Sequence, residues 1–143
     1  MKTEILNRFV FLDTNIVSKS IRKPVEKLEL RMDAEWSNGT RFLLSVVVLH
    51  EIELSVLRSE NPTGARKRVD AFMKGVSEIA HFEPDDAIAS AKIHAELLSR
   101  GEAIGAYDTF IAAQALRRKM PLITNNVREF SRVKGLVWED WTN

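Results

Sequence analysis

The chain has 143 residues, with 21 Lys+Arg against 20 Asp+Glu, so its formal net charge is +1 and gives no global nucleic-acid signature. At 45% hydrophobic residues it can bury one core with little left for a second, and we read residues 1–143 as a single domain. Zero cysteines exclude disulfides, thiolate catalysis and Cys-ligated metal sites, and no apolar run approaches the ~18 residues of a membrane span or a secretory leader, so a soluble cytoplasmic domain is expected.

Phe9-Val10-Phe11-Leu12 is a continuous apolar run that stops at Asp13, which predicts a strand buried on both faces. A helix is expected over Thr14–Ser20, broken near Pro24, and a second over Val25–Ser37, stopped by Asn38-Gly39. Phe42-Leu43-Leu44 reads as the next strand, and Ser45 as the N-cap of a helix reaching about Arg58. Asn61-Pro62-Thr63-Gly64 reads as a turn. Val69, Phe72, Met73 and Val76 fall at i, i+3, i+4 and i+7 and predict an amphipathic helix, followed by a short strand over Ile79–Phe82. Pro84 opens a helix whose inward stripe is expected at Ile88, Ala91, Ala95 and Leu98, ending at Gly101. A further helix runs from Ala106 to about Lys119, then come a strand over Pro121–Thr124 and an edge strand at Leu136-Val137-Trp138. Strands alternating with helices predict a three-layer α/β fold, a mainly parallel central sheet of four to five strands flanked by helices. Ligands of such sheets sit beyond the carboxyl ends of the strands.

Four residues fall at that edge or face inward near it. Asp13 directly follows the first strand, where it serves either as a helix N-cap or as a site acid. Glu51 shares a helix side with Val47, Val48, Ile52 and Ser55, whereas Glu53 lies about 200° around the axis. A glutamate on an apolar face must be paired with Lys or Arg, protonated, or bound to a metal. Asp108 lies in the first turn of its helix, where the macrodipole favours acids, but its phase with Ile111, Ala112 and Ala115 turns it inward. Asn126 follows the Pro121–Thr124 strand and either caps the helix near Val127–Phe130 or offers a neutral oxygen to a ligand or attacking water. Carboxylates gathered at one edge repel, and a hard divalent cation, Mg²⁺ or Mn²⁺, resolves the conflict. The chemistry suited to such a site is phosphodiester hydrolysis.

The ordered set resembles the PIN-domain ribonuclease family and, within it, the VapC-type toxins. The match rests on Leu12-Asp13-Thr14-Asn15, on Ser45 with Glu51-Ile52, on the run Ile104 to Ala112 containing Gly105-Ala106-Tyr107-Asp108, on Thr124-Asn125-Asn126-Val127-Arg128-Glu129-Phe130, and on the tail Val133 to Trp141. The resemblance covers nearly the whole chain. It implies that Asp13, Glu51 and Asp108 are metal-binding acids holding Mg²⁺ or Mn²⁺, and that Thr14 is the hydroxyl near the site. Asn126 stands where many members have a fourth aspartate. The resemblance further implies a homodimer held inactive by a VapB-type antitoxin whose C-terminal segment occupies the active-site groove. It implies an RNA substrate as well, for the most similar members the anticodon loop of initiator tRNA. No membrane association, and no DNA binding without the antitoxin, is expected.

Asn15 and the basic residues Lys19, Arg22 and Lys23 follow the first acid and are candidate RNA contacts. Arg66-Lys67-Arg68 and Arg117-Arg118-Lys119 read either as solvated helix faces or as phosphate contacts. His50, His81 and His94 have no metal spacing, and Trp138 and Trp141 read as packing or dimer-edge residues. Asp85-Asp86 reads as a helix cap. Two rivals remain open: a PIN domain that binds without cutting, and a receiver-type phospho-acceptor domain. The receiver requires adjacent acids after the first strand and a late-strand lysine, where this chain has Asp13-Thr14 and Thr124-Asn125-Asn126.

Overall fold

A computed structural model describes residues 7–23 and 25–143. Its core is built outward from β1 (Phe9–Leu12), in which Val10, Phe11 and Leu12 are fully buried while Phe9 is half exposed. Each fully buried side chain of this size contributes about 1.5–3 kcal/mol. Parallel neighbours flank β1 on both sides: β2 (Arg41–Ser45) through Val10↔Phe42, and β4 (Leu122–Ile123) through Leu12↔Ile123. With β3 (Val76–Ala80) and β5 (Trp138–Glu139) at the edges, the order is β3-β2-β1-β4-β5. Every pairing is parallel, so the expected mainly parallel sheet is parallel throughout. The chain leaves β1 for β2 on one side and returns to β4 on the other. This reversal opens a crevice beyond the carboxyl ends of β1 and β4.

The helices are α1 (Thr14–Arg22), α2 (Glu26–Ser37), α3 (Val46–Leu57), α4 (Pro62–Met73), α5 (Pro84–Ser99), α6 (Ala106–Arg118) and α7 (Val127–Phe130). The break expected at Pro24 lies outside the described residues. Gly39 ends α2 with φ 93°, which lets Thr40 N–H reach back to Glu35 O at 2.9 Å. Ser45 caps α3 as expected, accepting from Val47 N–H at 3.0 Å.

Three expectations need correction. Asn61-Pro62-Thr63-Gly64 is the start of α4 rather than a free turn: Asn61 accepts from Gly64 N–H at 3.0 Å and Pro62 takes the first helical position. The helix predicted through Val76 stops at Met73, and Val76 opens β3, which therefore precedes the predicted span Ile79–Phe82. On α5 the buried stripe is Asp86, Ser90, Ile93 and Leu97, so Ile88 and Leu98 face outward at 56% and 58% exposure. Asp86 is buried because it is fully engaged. It accepts from Glu83 N–H at 2.8 Å in a capping box and from Arg117 Nη1 at 2.6 Å.

The C-terminal segment returns over the sheet. Trp141 is 1% exposed and meets Phe42 edge-on at 6.1 Å, with the Arg31 guanidinium over its ring at 5.2 Å. Its expected packing role is borne out.

Candidate active site

Asp13 leaves β1 at the crevice, 2% exposed. Its Oδ1 accepts from Thr14 N–H at 2.7 Å, so it caps α1, and its Oδ2 accepts from Thr124 Oγ1 at 2.8 Å across β4. The capping reading of Asp13 is thus borne out, and the same carboxylate lies at the crevice. Burial pushes its pKa up to about 6 despite those two donors, and the charges of Glu51 and Glu129 push the same way.

Glu51 projects from α3 and accepts from Thr14 Oγ1 at 2.7 Å. No Lys or Arg among the described residues pairs with it, which removes the salt-bridge alternative. Glu53, on the far side of α3 as its phase requires, is the one paired, with Arg66.

Asp108 sits half-buried in the first turn of α6. Burial raises its pKa to about 7, and the nearby charges of Asp13, Glu129 and Glu51, with a hydrogen-bonding approach to Glu129, add to the effect. Glu51, Asp108, Gly105, Ala106 and Tyr107 line a shared cavity of about 380 Å³.

Asn126 begins α7, but its side chain does not cap that helix. Its N–H donates to Thr124 Oγ1 at 2.9 Å, and its Nδ2 donates to Glu129 Oε2 at 3.0 Å. The amide therefore holds a fourth carboxylate, Glu129, which acts on both Asp13 and Asp108. Sequence reasoning did not place Glu129 and Thr124 beside these acids. The signal for Glu129 was its i, i+3 spacing from Asn126, which places both on one face of a single helical turn.

Asn15 is exposed, Lys19 partly exposed, and Lys23 exposed at the end of α1; of the predicted RNA contacts, Arg22 lines a larger neighbouring cavity. Arg117 and Arg118 are committed to Asp86 and Glu78 at 2.6 and 2.8 Å, so they are structural. His50 meets Tyr107 edge-on at 5.6 Å.

None of Asp13, Glu51, Asp108 and Glu129 has a basic partner among the described residues. Nor do three such groups close tightly enough to hold an ion as they stand, since Glu51 leans on Thr14 and Glu129 on Asn126. The donor set is all oxygen and suits a hard divalent cation. Asn125 Oδ1, between Thr124 and Asn126, is buried without a hydrogen-bond partner.

The family model for the PIN domain matches residues 10–136. A Salmonella typhimurium protein described as tRNA(fMet)-specific endonuclease VapC is 32% identical over 130 residues, covering 91% of this chain and 96% of that protein. Ribonuclease VapC2 of Haemophilus influenzae is 34% identical over 131 residues, covering 91% and 96%. Among solved structures, DNA-bound VapBC from Salmonella typhimurium superimposes with a TM-score of 0.84 at 31% identity, over 95% of this chain and 99% of that one. VapBC2 from Rickettsia felis bound to a promoter DNA fragment gives a TM-score of 0.86 at 26% identity, over 93% and 98%. With its site acids at the carboxyl edge of a parallel five-stranded sheet and its sequence matched from β1 into the C-terminal segment, the chain belongs to the PIN-domain family, alongside the VapC ribonucleases.

Proposed function

We propose that residues 1–143 form a single PIN domain acting as a Mg²⁺- or Mn²⁺-dependent endoribonuclease toxin, neutralised by a VapB-type antitoxin. The observation that carries this reading is the set of four carboxylates, two with pKa values of about 6 and 7, that share one crevice with no basic side chain among the described residues paired to them. Asp13, Glu51 and Asp108 would hold the cation, with Glu129 beside them and Asn126 holding Glu129 in place. When bound, the cation neutralises the acids, polarises the scissile phosphate and favours ionisation of the attacking water.

The chain's own residues supply positioning. Thr124 fixes one oxygen of Asp13, and Thr14 fixes one oxygen of Glu51. Water attacks phosphorus in line, the bond to the 3′ oxygen breaks, and the departing oxygen takes up a proton, leaving a 5′-phosphate and a 3′-hydroxyl. No side-chain nucleophile is needed.

Glu129 bears on the rival in which the domain binds without cutting. That rival rested on the missing acid at Asn126, and the missing charge is supplied three residues later. By similarity to the Salmonella relative, initiator tRNA is the proposed substrate. The VapBC complexes among the structural neighbours support the antitoxin partner. We also propose a homodimer, supported by the outward apolar stripe of Ile88, Ala91, Ala95 and Leu98 on α5, and a cytoplasmic location. No helix among the described residues is long and apolar enough to cross a membrane.

The test is sequencing of RNA 5′ ends after induction, comparing wild type with Asp108→Asn. New 5′-phosphate ends present only in wild type are expected. Ends carrying 2′,3′-cyclic phosphate on the upstream fragment, or identical cleavage by the variant, overturn the reading.

A further inference from the structure

Beside the carboxylates lies a cavity of about 600 Å³ between α1, α3 and α4, with Glu51 and Tyr107 on its wall. Three arginines line it, one from α1 (Arg22), one just after α3 (Arg58) and one from α4 (Arg68). All three are exposed, and none forms an ion pair among the described residues. The contrast with their neighbours is sharp: Arg66, two residues before Arg68, is held by Glu53 and Asp70, and Arg117 and Arg118 are held by Asp86 and Glu78. Three like charges on one cavity repel, and a polyanion is the ligand class that relieves the repulsion. The wall between them mixes apolar Ile21, Leu54 and Ala65 with the hydroxyls of Ser18, Ser55 and Ser59, which suits the ribose and base faces together with the polar edges of a nucleotide. Tyr107 is 46% exposed and, like Glu51, lines both this cavity and the smaller one holding Asp108.

We infer that Arg22, Arg58 and Arg68 bind successive backbone phosphates of a single-stranded RNA segment on one side of the cut, with Tyr107 at the junction stacking on an unpaired base. This rests on the reading of the carboxylates as an RNA-cleaving centre. A single-stranded rather than duplex segment follows from the half-exposed aromatic face of Tyr107 beside the arginines, since aromatic faces hold unstacked bases. The arginines position without reading sequence, so their removal weakens all RNAs alike.

The experiment uses the full chain and a fluorescein-labelled single-stranded oligoribonucleotide. Binding is measured by anisotropy in EDTA across a NaCl series, and cleavage separately with Mn²⁺. Each phosphate contact contributes about 0.7 to the slope of log K against log salt for a single strand. Arg58→Gln and Arg68→Gln should each weaken binding roughly three- to tenfold and flatten the slope by about 0.7, with the double variant additive. In cleavage, KM should rise by a similar factor while kcat changes less than twofold. Both side chains are exposed and unpaired, so unchanged thermal melting should accompany these losses.

Unchanged slope and KM in the double variant, with wild-type cleavage intact, overturn the assignment. If the variants bind and cut RNA normally but escape neutralisation by the antitoxin, the cavity serves a protein partner and the assignment is likewise overturned. Failure of the underlying reading is a separate result: wild type binding the RNA yet never cutting it with Mg²⁺ or Mn²⁺.

Discussion

Thr124→Val isolates the contact that joins β4 to the acid of β1. Thr124 is fully buried, donates to Asp13 Oδ2 at 2.8 Å and accepts from Asn126 N–H at 2.9 Å. Valine keeps the shape and removes both bonds. A hydrogen bond to a charged group contributes about 1.5–3 kcal/mol, and an unsatisfied backbone donor costs about 1–3 kcal/mol when buried. Asn126 is only half-buried, so water recovers part of the second term, and a total of about 2–4 kcal/mol follows at pH 8. For a domain of this size that lowers Tm by roughly 5–15 °C. The sign with pH follows from Asp13, whose pKa in the folded state is about 6. The Thr124 hydroxyl stabilises the ionised carboxylate and lowers its pKa, so its contribution is full only well above pH 6, declines as pH falls toward 6 and is lost below it. Thermal or urea unfolding of wild type, Thr124→Val and Thr124→Ser at pH 8 and pH 5 checks this. Serine keeps the hydroxyl and should cost about 1 kcal/mol, mainly the lost methyl. A serine variant as unstable as valine, or a valine penalty equal at both pH values, refutes the reasoning.

Glu35 accepts from Thr40 Oγ1, Arg8 Nη2 and Arg31 Nε at 2.7, 3.0 and 3.0 Å, which hold its pKa below the usual carboxylate range even against its own desolvation. Glu35→Gln should cost about 2 kcal/mol in urea unfolding at pH 7, discounted for the partly exposed arginines. Because the folded pKa is lowered, this contribution is present above the unfolded value and is lost as pH falls through the folded one, so the variant and wild type should converge once pH is below the folded value. Leu98→Glu on the outward face of α5 should leave folding intact and shift sedimentation from dimer to monomer; an unchanged dimer would remove that face from the interface. Asn126→Ala frees Glu129 from its amide donor and should lower cleavage without lowering thermal stability by more than about 1 kcal/mol.

The positions of three crevice acids were readable because they follow from local rules. Asp13 ends a buried strand, Glu51 keeps phase with Val48 and Ile52, and Asp108 keeps phase with Ile111 and Ala112. Glu129 was not readable in the same way. Its role depends on the one-turn helix α7 aiming it back toward Asp108, and on the amide of Asn126 holding it, a tertiary arrangement that no apolar periodicity marks. The fold's failures have the same origin. On α5 the buried stripe contains Asp86 and Ser90, which become core residues because Arg117 and the backbone satisfy them. The apolar pattern pointed to the opposite face, where Ile88 and Leu98 remain outside. The helix expected to reach Val76 ends before Gly75, which separates it from β3.

Gathered without a basic partner among the described residues, the crevice acids are expected to need a divalent cation of their own. Calorimetric titration of Mn²⁺ into the purified protein at pH 7.5 tests it most directly, with Asp13→Asn and Asp108→Asn as comparisons. Saturable binding by wild type is expected, and both substitutions should abolish it or weaken it at least tenfold. No binding by wild type, or equal binding by all three proteins, would contradict it.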